Sequence, residues 1–139
     1  MFIIFVLQLK QLCNKTTNSN MKKTLVIGAS ENPERYAYKA ITALVAHGHE
    51  VKALGLKKGN VAGIEFDTEQ LPYQGIDTVS LYVGPQNQPS YYEFIEKLQP
   101  KRVLFNPGTE NSEFQARLIA KGIEVEEACT LVLLSTNQY

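Results

Sequence analysis

Leu25-Val26-Ile27 is an unbroken apolar run that ends at Gly28. A strand buried on both faces reads this way, and such strands belong to parallel sheets covered by helices on both sides. The chain that follows supplies the matching helix. Ala37, Ala40, Ile41, Leu44 and Val45 fall at i, i+3, i+4, i+7 and i+8 and form one apolar face. Pro33 suits the approach to that helix, and Gly48 stops it. Val51 to Leu54 is a second strand. Thr78 to Val83 is a third, with Val79, Leu81 and Val83 alternating against Ser80 and Tyr82.

The alternation continues to the end of the chain. Ser90-Tyr91-Tyr92-Glu93 has the form of a capping box, followed by a helical stripe of Tyr91, Phe94, Ile95 and Leu98 that Pro100 closes. Val103-Leu104-Phe105 is a fourth buried strand. Ser112 with Gln115 opens a helix that carries Phe114 and Leu118 and ends at Gly122. Ile123 to Val125 is the fifth strand, and Cys129 to Leu134 reads as a short terminal helix, with a strand as the alternative at this length. Strand and helix alternating in this way imply parallel pairing and right-handed crossovers. The expected fold is α/β: a doubly wound, Rossmann-like sheet of about five parallel strands with helices on both faces. The irregular connection is Lys57 to Gly75, which holds Pro72 and several glycines and shows no helical stripe. It reads as a long loop with a short extra strand at Ile64-Glu65-Phe66, and long loops in compact domains are often functional.

At 139 residues the chain has room for one ordinary domain. Its 14 Lys+Arg balance 14 Asp+Glu, which argues against a broad basic face for nucleic acid. Two cysteines, Cys13 and Cys129, are too few for a disulfide framework or a structural zinc site, and reduced thiols in a cytoplasmic protein are expected. Residues 1–20 stand apart. Phe2 to Leu7 is apolar, but Lys10 and Lys15 follow the run rather than precede it, so it does not read as a signal peptide. It is also too short to span a bilayer. These residues read as an extension upstream of a domain covering 21–139; a short docked segment or extra strand is the alternative.

Ligands of such sheets bind where the strand order reverses, beside the loop after the first strand. Here that loop runs from Gly28-Ala29-Ser30 to Arg35. Gly28 allows close backbone approach, Ser30 offers a hydroxyl and an N–H, and the helix N-terminus behind them favours a diphosphate. The full G-x-G-x-x-G fingerprint is absent. A domain for NAD places Asp or Glu at the end of its second strand to accept from the ribose. This chain has Leu56-Lys57-Lys58 there, which favours a phosphate on the ribose, as in coenzyme A or NADP. A third candidate segment follows strand four, where Asn106, Thr109 and Asn111 offer hydrogen bonds and Gly108 permits close approach. The same residues also make good turn chemistry.

No catalytic constellation stands out. His47 and His49 lie at the helix end away from the ligand loops and read as surface residues. Cys129 reads as a buried structural thiol. Glu126-Glu127 after strand five reads as an exposed turn. Tyr36-Ala37-Tyr38-Lys39 lacks the spacing of a reductase Tyr/Lys pair. No metal site is expected.

Thr24-Leu-Val-Ile-Gly-Ala-Ser30 with its Pro33 loop and helix resembles the start of small CoA-binding domain proteins, which are similar to the CoA-binding domain of the succinyl-CoA synthetase alpha subunit. Asn106-Pro-Gly-Thr-Glu-Asn111, Gly122-Ile123 and Cys129 match the same layout, and the resemblance spans Met21 to about Leu134. It implies that a CoA diphosphate lies on Gly28, Ala29 and Ser30 with Arg35 nearby. It implies further that Lys57 or Lys58 meets phosphate and that Val83, Gly84 and Pro85 border the nucleotide. The chain departs from the family where Gly55 to Lys58 replaces an Asn-Pro pair, and at Asn106, where many members have Gln. The synthetase's phosphohistidine and ligase machinery has no counterpart. The expected function is therefore binding of CoA or an acyl-CoA by a module that is not itself a catalyst, with no nucleic-acid or membrane partner. The alternatives are a small NADP-dependent oxidoreductase and a Rossmann-like protein acting through protein contacts.

Overall fold

The computed structural model describes residues 21–139. The expectation for residues 1–20 lies outside the described residues. Five parallel strands form the main sheet: β1 (Thr24–Ala29), β2 (Val51–Gly55), β5 (Thr78–Leu81), β6 (Arg102–Phe105) and β7 (Glu124–Glu127), in the spatial order β2-β1-β5-β6-β7. The chain leaves β1 through helix α1 (Tyr36–Ala46) to pair β2 on one side, then returns to pair β5 on the other. The strand order therefore reverses between β1 and β5, as a doubly wound sheet requires.

The pleat of β1 divides the core into two layers. Leu25 and Ile27 face one side, against helices α2 (Tyr92–Leu98) and α3 (Ser112–Ala120); their layer includes Ile95, Phe105, Phe114 and Leu118. Val26 and Ala29 face the other side, with Ala37, Ile41 and Leu44 of α1 and Leu134 of α4 (Thr130–Ser135). An unbroken apolar run is what this double burial demands, because alternate side chains must be apolar on both faces. Phe114 is fully buried and stacks on Tyr92 with ring centroids 4.3 Å apart. Burial of such a side chain is worth roughly 1.5–3 kcal/mol.

Several local expectations change. Ser90 does not cap α2: it lies in a 3-10 turn (Pro89–Tyr91), and its hydroxyl donates to the Asn87 carbonyl at 3.4 Å. The two prolines Pro85 and Pro89 start successive 3-10 turns and delay the α-helix to Tyr92. At α3 the cap is Asn111 rather than Ser112, its side chain accepting from the Phe114 N–H at 3.1 Å. Asparagine and serine cap about equally well, so adjacent candidates are not separable by type. The strand expected through Val83 ends at Leu81, and Glu126-Glu127 lies within β7, where Glu126 meets Arg102 at 3.4 Å.

The Lys57–Gly75 connection holds the short strand expected at Ile64–Phe66, and a second strand, not expected, that pairs with it. Strand β3 (Gly59–Val61) and strand β4 (Ile64–Phe66) pair as an antiparallel hairpin. Ala62 and Gly63 both have positive φ, at 52° and 83°, which is the type I′ pattern that suits a tight hairpin. An alanine in that role hid the turn, since Asn-Gly or Asp-Gly is the usual signal. Val61 and Phe66 are buried against the α1 side of the sheet, and the Gly55 N–H bonds the Asp67 carbonyl at 3.1 Å. The hairpin thus covers the edge of β2 and holds the lysine segment in place.

Candidate functional site

A cleft of about 1360 Å³ opens at the carboxyl ends of β1, β2, β5 and β6, over the point of strand reversal. Of the residues singled out in the sequence, Gly28, Ala29, Ser30, Arg35, Leu56, Lys57, Lys58, Val83, Gly84 and Gly108 line it. Pro85 and Asn106 do not. The sheet brings these residues together because parallel strands end on the same edge, and each following loop starts there.

The first wall is the β1–α1 loop, and it is tied to itself. Ser30 Oγ accepts the Asn32 N–H at 3.1 Å, and Asn32 Oδ1 accepts the Glu34 N–H at 3.0 Å. Arg35 is the N-cap of α1 in extended conformation and makes no side-chain cap bond. Arg35, Tyr36 and Ala37 line the cleft at that end, where the N–H groups of a helix's first turn favour an anion. Gly28, which lines the cleft, is also required by its backbone surroundings. Its φ is +98°, and a Cβ there would stand 3.0 Å from the Tyr82 carbonyl oxygen. The glycine makes room for the neighbouring strand.

The second wall pairs Val83 and Gly84 with Gly108 and Thr109. Gln88, absent from the sequence candidates, joins them. It is fully buried, and its Nε2 donates to the Val83 carbonyl at 2.8 Å and to the Thr109 carbonyl at 2.7 Å. Its Oε1 accepts from Asn111 Nδ2 at 2.9 Å. Two loops from different strands are thereby held at one spacing. A glutamine in a polar loop carries no sequence signal for this work.

Asn106 acts inside the protein. It is 1% exposed, and its Nδ2 donates to Ser80 Oγ and to the Leu81 carbonyl, both at 3.0 Å. Its Oδ1 accepts the Thr130 N–H at 2.8 Å. All three side-chain partners are internal, both N–H groups are used, and the burial keeps the amide off the cleft lining. Cys129 is the N-cap of α4 and only half-buried, not the enclosed thiol expected. His47 and His49 sit at the opposite edge of the sheet. His49 Nδ1 accepts the Lys22 N–H at 2.9 Å, and burial, with the nearby cations, lowers its pKa.

The cleft's rim carries charges of both signs. Lys57 and Lys58 are exposed on the β2–β3 connection, and among the described residues no ion pair involves them or Arg35. Glu31 crosses from the first loop to the hairpin, where its Oε2 accepts the Asn60 N–H at 3.0 Å. Sequence position alone did not reveal this carboxylate beside the end of β2.

Tyr82 lines the cleft floor with its ring packed on the α1 side, and its hydroxyl is buried without a hydrogen-bond partner. Ser80 and Thr130 beside it bond each other at 2.8 Å. Burial pushes the phenol up to about 12. The folded pKa exceeds that of an unfolded tyrosine, so the neutral form stabilises the fold below about pH 10. That contribution is lost as pH rises from about 10 toward 12, and Tyr82→Phe should be less sensitive to alkali in a pH series of urea midpoints.

A doubly wound parallel sheet with a loop-lined cleft at its reversal point defines a nucleotide-binding class of domain. Within that class the match is specific: a family model described as CoA binding domain covers residues 22–135, and the chain belongs to that family. No curated protein shows significant sequence similarity to it. Among solved structures it is similar to one titled as an uncharacterized protein, with 50% identity and a TM-score of 0.84 over 86% of this chain and 98% of that one. A hypothetical protein from Pyrococcus horikoshii OT3 matches at 26% identity and TM-score 0.76, over 88% of this chain and 87% of that one. A Thermus thermophilus protein shares the fold at 21% identity and TM-score 0.77, covering 90% of this chain and 96% of that one. Among the described residues no helix is long and apolar enough to cross a membrane.

Proposed function

We propose that the cleft binds coenzyme A or an acyl-CoA and that the domain is a cytoplasmic binding module without catalytic machinery of its own. The observation that carries this reading is a pair of lysines, free of ion pairs among the described residues, on the rim of the cleft at the strand reversal. The diphosphate lies at the Gly28–Ser30 loop and the α1 N-terminus, and Lys57 or Lys58 meets the ribose phosphate. Membership in the CoA binding domain family favours CoA over NADP, which the same lysines would also serve.

Calorimetric titration with CoA, dephospho-CoA, NADP and NAD tests the ligand. CoA is expected to bind most tightly, and NAD binding as tight or tighter would overturn the reading. Replacing Lys57 and Lys58 together by Ala should weaken CoA about tenfold or more and dephospho-CoA much less, since a charge-assisted bond is worth roughly 1.5–3 kcal/mol. Exposure and salt hold the effect near the low end. Equal losses for both ligands would mean that the lysines serve the diphosphate.

A further inference from the structure

We propose that Glu31 is a specificity residue: its carboxylate accepts the free ribose hydroxyl of a nucleotide whose neighbouring hydroxyl is phosphorylated. The inference rests on the proposed CoA reading and adds how the ribose is recognised. Glu31 belongs to the β1–α1 loop, yet the fold carries it across the cleft to the hairpin that follows Lys57 and Lys58. Its Oε2 is held by the Asn60 N–H at 3.0 Å. Its stem lies against Gly59, where a Cβ would stand 2.6 Å from Phe66 Cζ, 2.7 Å from Glu31 Cγ and 2.9 Å from Cδ, so the glycine leaves room for both side chains.

Glu31, Lys57 and Lys58 line the same cleft, and among the described residues no ion pair joins the carboxylate to either lysine. A carboxylate that can only accept and ammonium groups that can only donate are thus both available to a ligand. An acceptor for a hydroxyl beside donors for a phosphate is the arrangement that a ribose with one of each requires. A carboxylate repels a phosphate, so of the two ribose substituents the hydroxyl is the one it can hold. One oxygen is engaged by the hairpin, which orients the group and leaves Oε1 to meet the ligand.

Adenosine 3′,5′-bisphosphate and its 2′-deoxy analogue are the probes, because they differ by the one hydroxyl. The wild-type chain should bind the ribose form about tenfold more tightly, the low end for a bond to a charged group at an exposed site. In Glu31→Gln the amide oxygen can keep the Asn60 contact, and in Glu31→Ala the side chain is removed. Both variants should bind the two probes within about twofold of each other, with unfolding midpoints recorded alongside. A discrimination ratio unchanged from wild type in both variants would overturn the inference while leaving CoA binding intact. Equal tightening of both probes would also overturn it, by showing that Glu31 acts only as a repelling charge. Failure of the wild type to bind CoA at all would remove the underlying reading and this inference with it.

Discussion

Asn106→Leu should destabilise the domain by about 3–5 kcal/mol in urea unfolding, one of the largest effects of any single substitution near the cleft. The side chain is enclosed at the end of β6, and three partners depend on it: Ser80 Oγ and the Leu81 carbonyl on β5, and the Thr130 N–H at the start of α4. A buried donor or acceptor left without a partner costs about 1–3 kcal/mol, and leucine leaves the Leu81 carbonyl and the Thr130 N–H in that state. Ser80 and Thr130 still hold each other, which limits the loss. Any fall in ligand affinity should follow from unfolding and disappear when binding is measured at a temperature where the variant is fully folded. A variant of wild-type stability that had lost CoA would show that the amide turns outward to the ligand, contrary to the geometry.

Gly28→Ala should cost about 2–6 kcal/mol by the same measurement. Two penalties add. A residue with a Cβ is strained at φ +98°, at about 1–3 kcal/mol, and the new methyl carbon would stand 3.0 Å from the Tyr82 carbonyl oxygen, with overpacking of about 1–3 kcal/mol. That oxygen belongs to the backbone just beyond β5, so it cannot yield as a side chain does. Gly84→Ala is the control on the other wall of the cleft. Its Cβ would meet only the end of the Gln86 side chain, at 3.1 Å, and the stability change should stay under about 1 kcal/mol. If the two substitutions cost the same, the close approach of β1 and the Tyr82 backbone is not what requires the glycine.

The loops that build the cleft were legible because strand ends are. Leu25-Val26-Ile27 and Val103-Leu104-Phe105 announce strands by composition alone, and a parallel sheet puts all their following loops on one edge. Ser30, Arg35, Lys57 and Lys58 could thus be placed on one edge without knowing any distance between them, whereas Gly84 entered through the family resemblance. The direction in which a side chain points is another matter. Asn106 and Gly108 are two residues apart in one turn, and only Gly108 reaches the cleft, because the last residue of the strand edge turns Asn106 inward to Ser80 and Thr130. Gln88 stands in a stretch of Pro, Gln, Asn and Ser that reads as solvated loop, yet it is as buried as any core leucine. Its partners come from Val83 and Thr109, which lie 5 and 21 residues away.

Sequence by itself determined the α/β class, the five strands of the main sheet, the edge of the sheet where the cleft-lining loops gather and the lysines at the end of β2. These follow from local physics: apolar periodicity, helix stops and the rule that parallel strands share an end. Tertiary structure alone decided that Gly28 stands against the Tyr82 backbone, that Asn106 is an internal brace, and that the short strand expected at Ile64–Phe66 pairs with Gly59–Val61 as a hairpin. It also set Glu31 across the cleft, 29 residues from its partner Asn60. Contacts of that separation depend on how loops close over the sheet. No pattern within either segment encodes that closure, because each hydrogen bond needs a donor and an acceptor that become neighbours only after the sheet has formed.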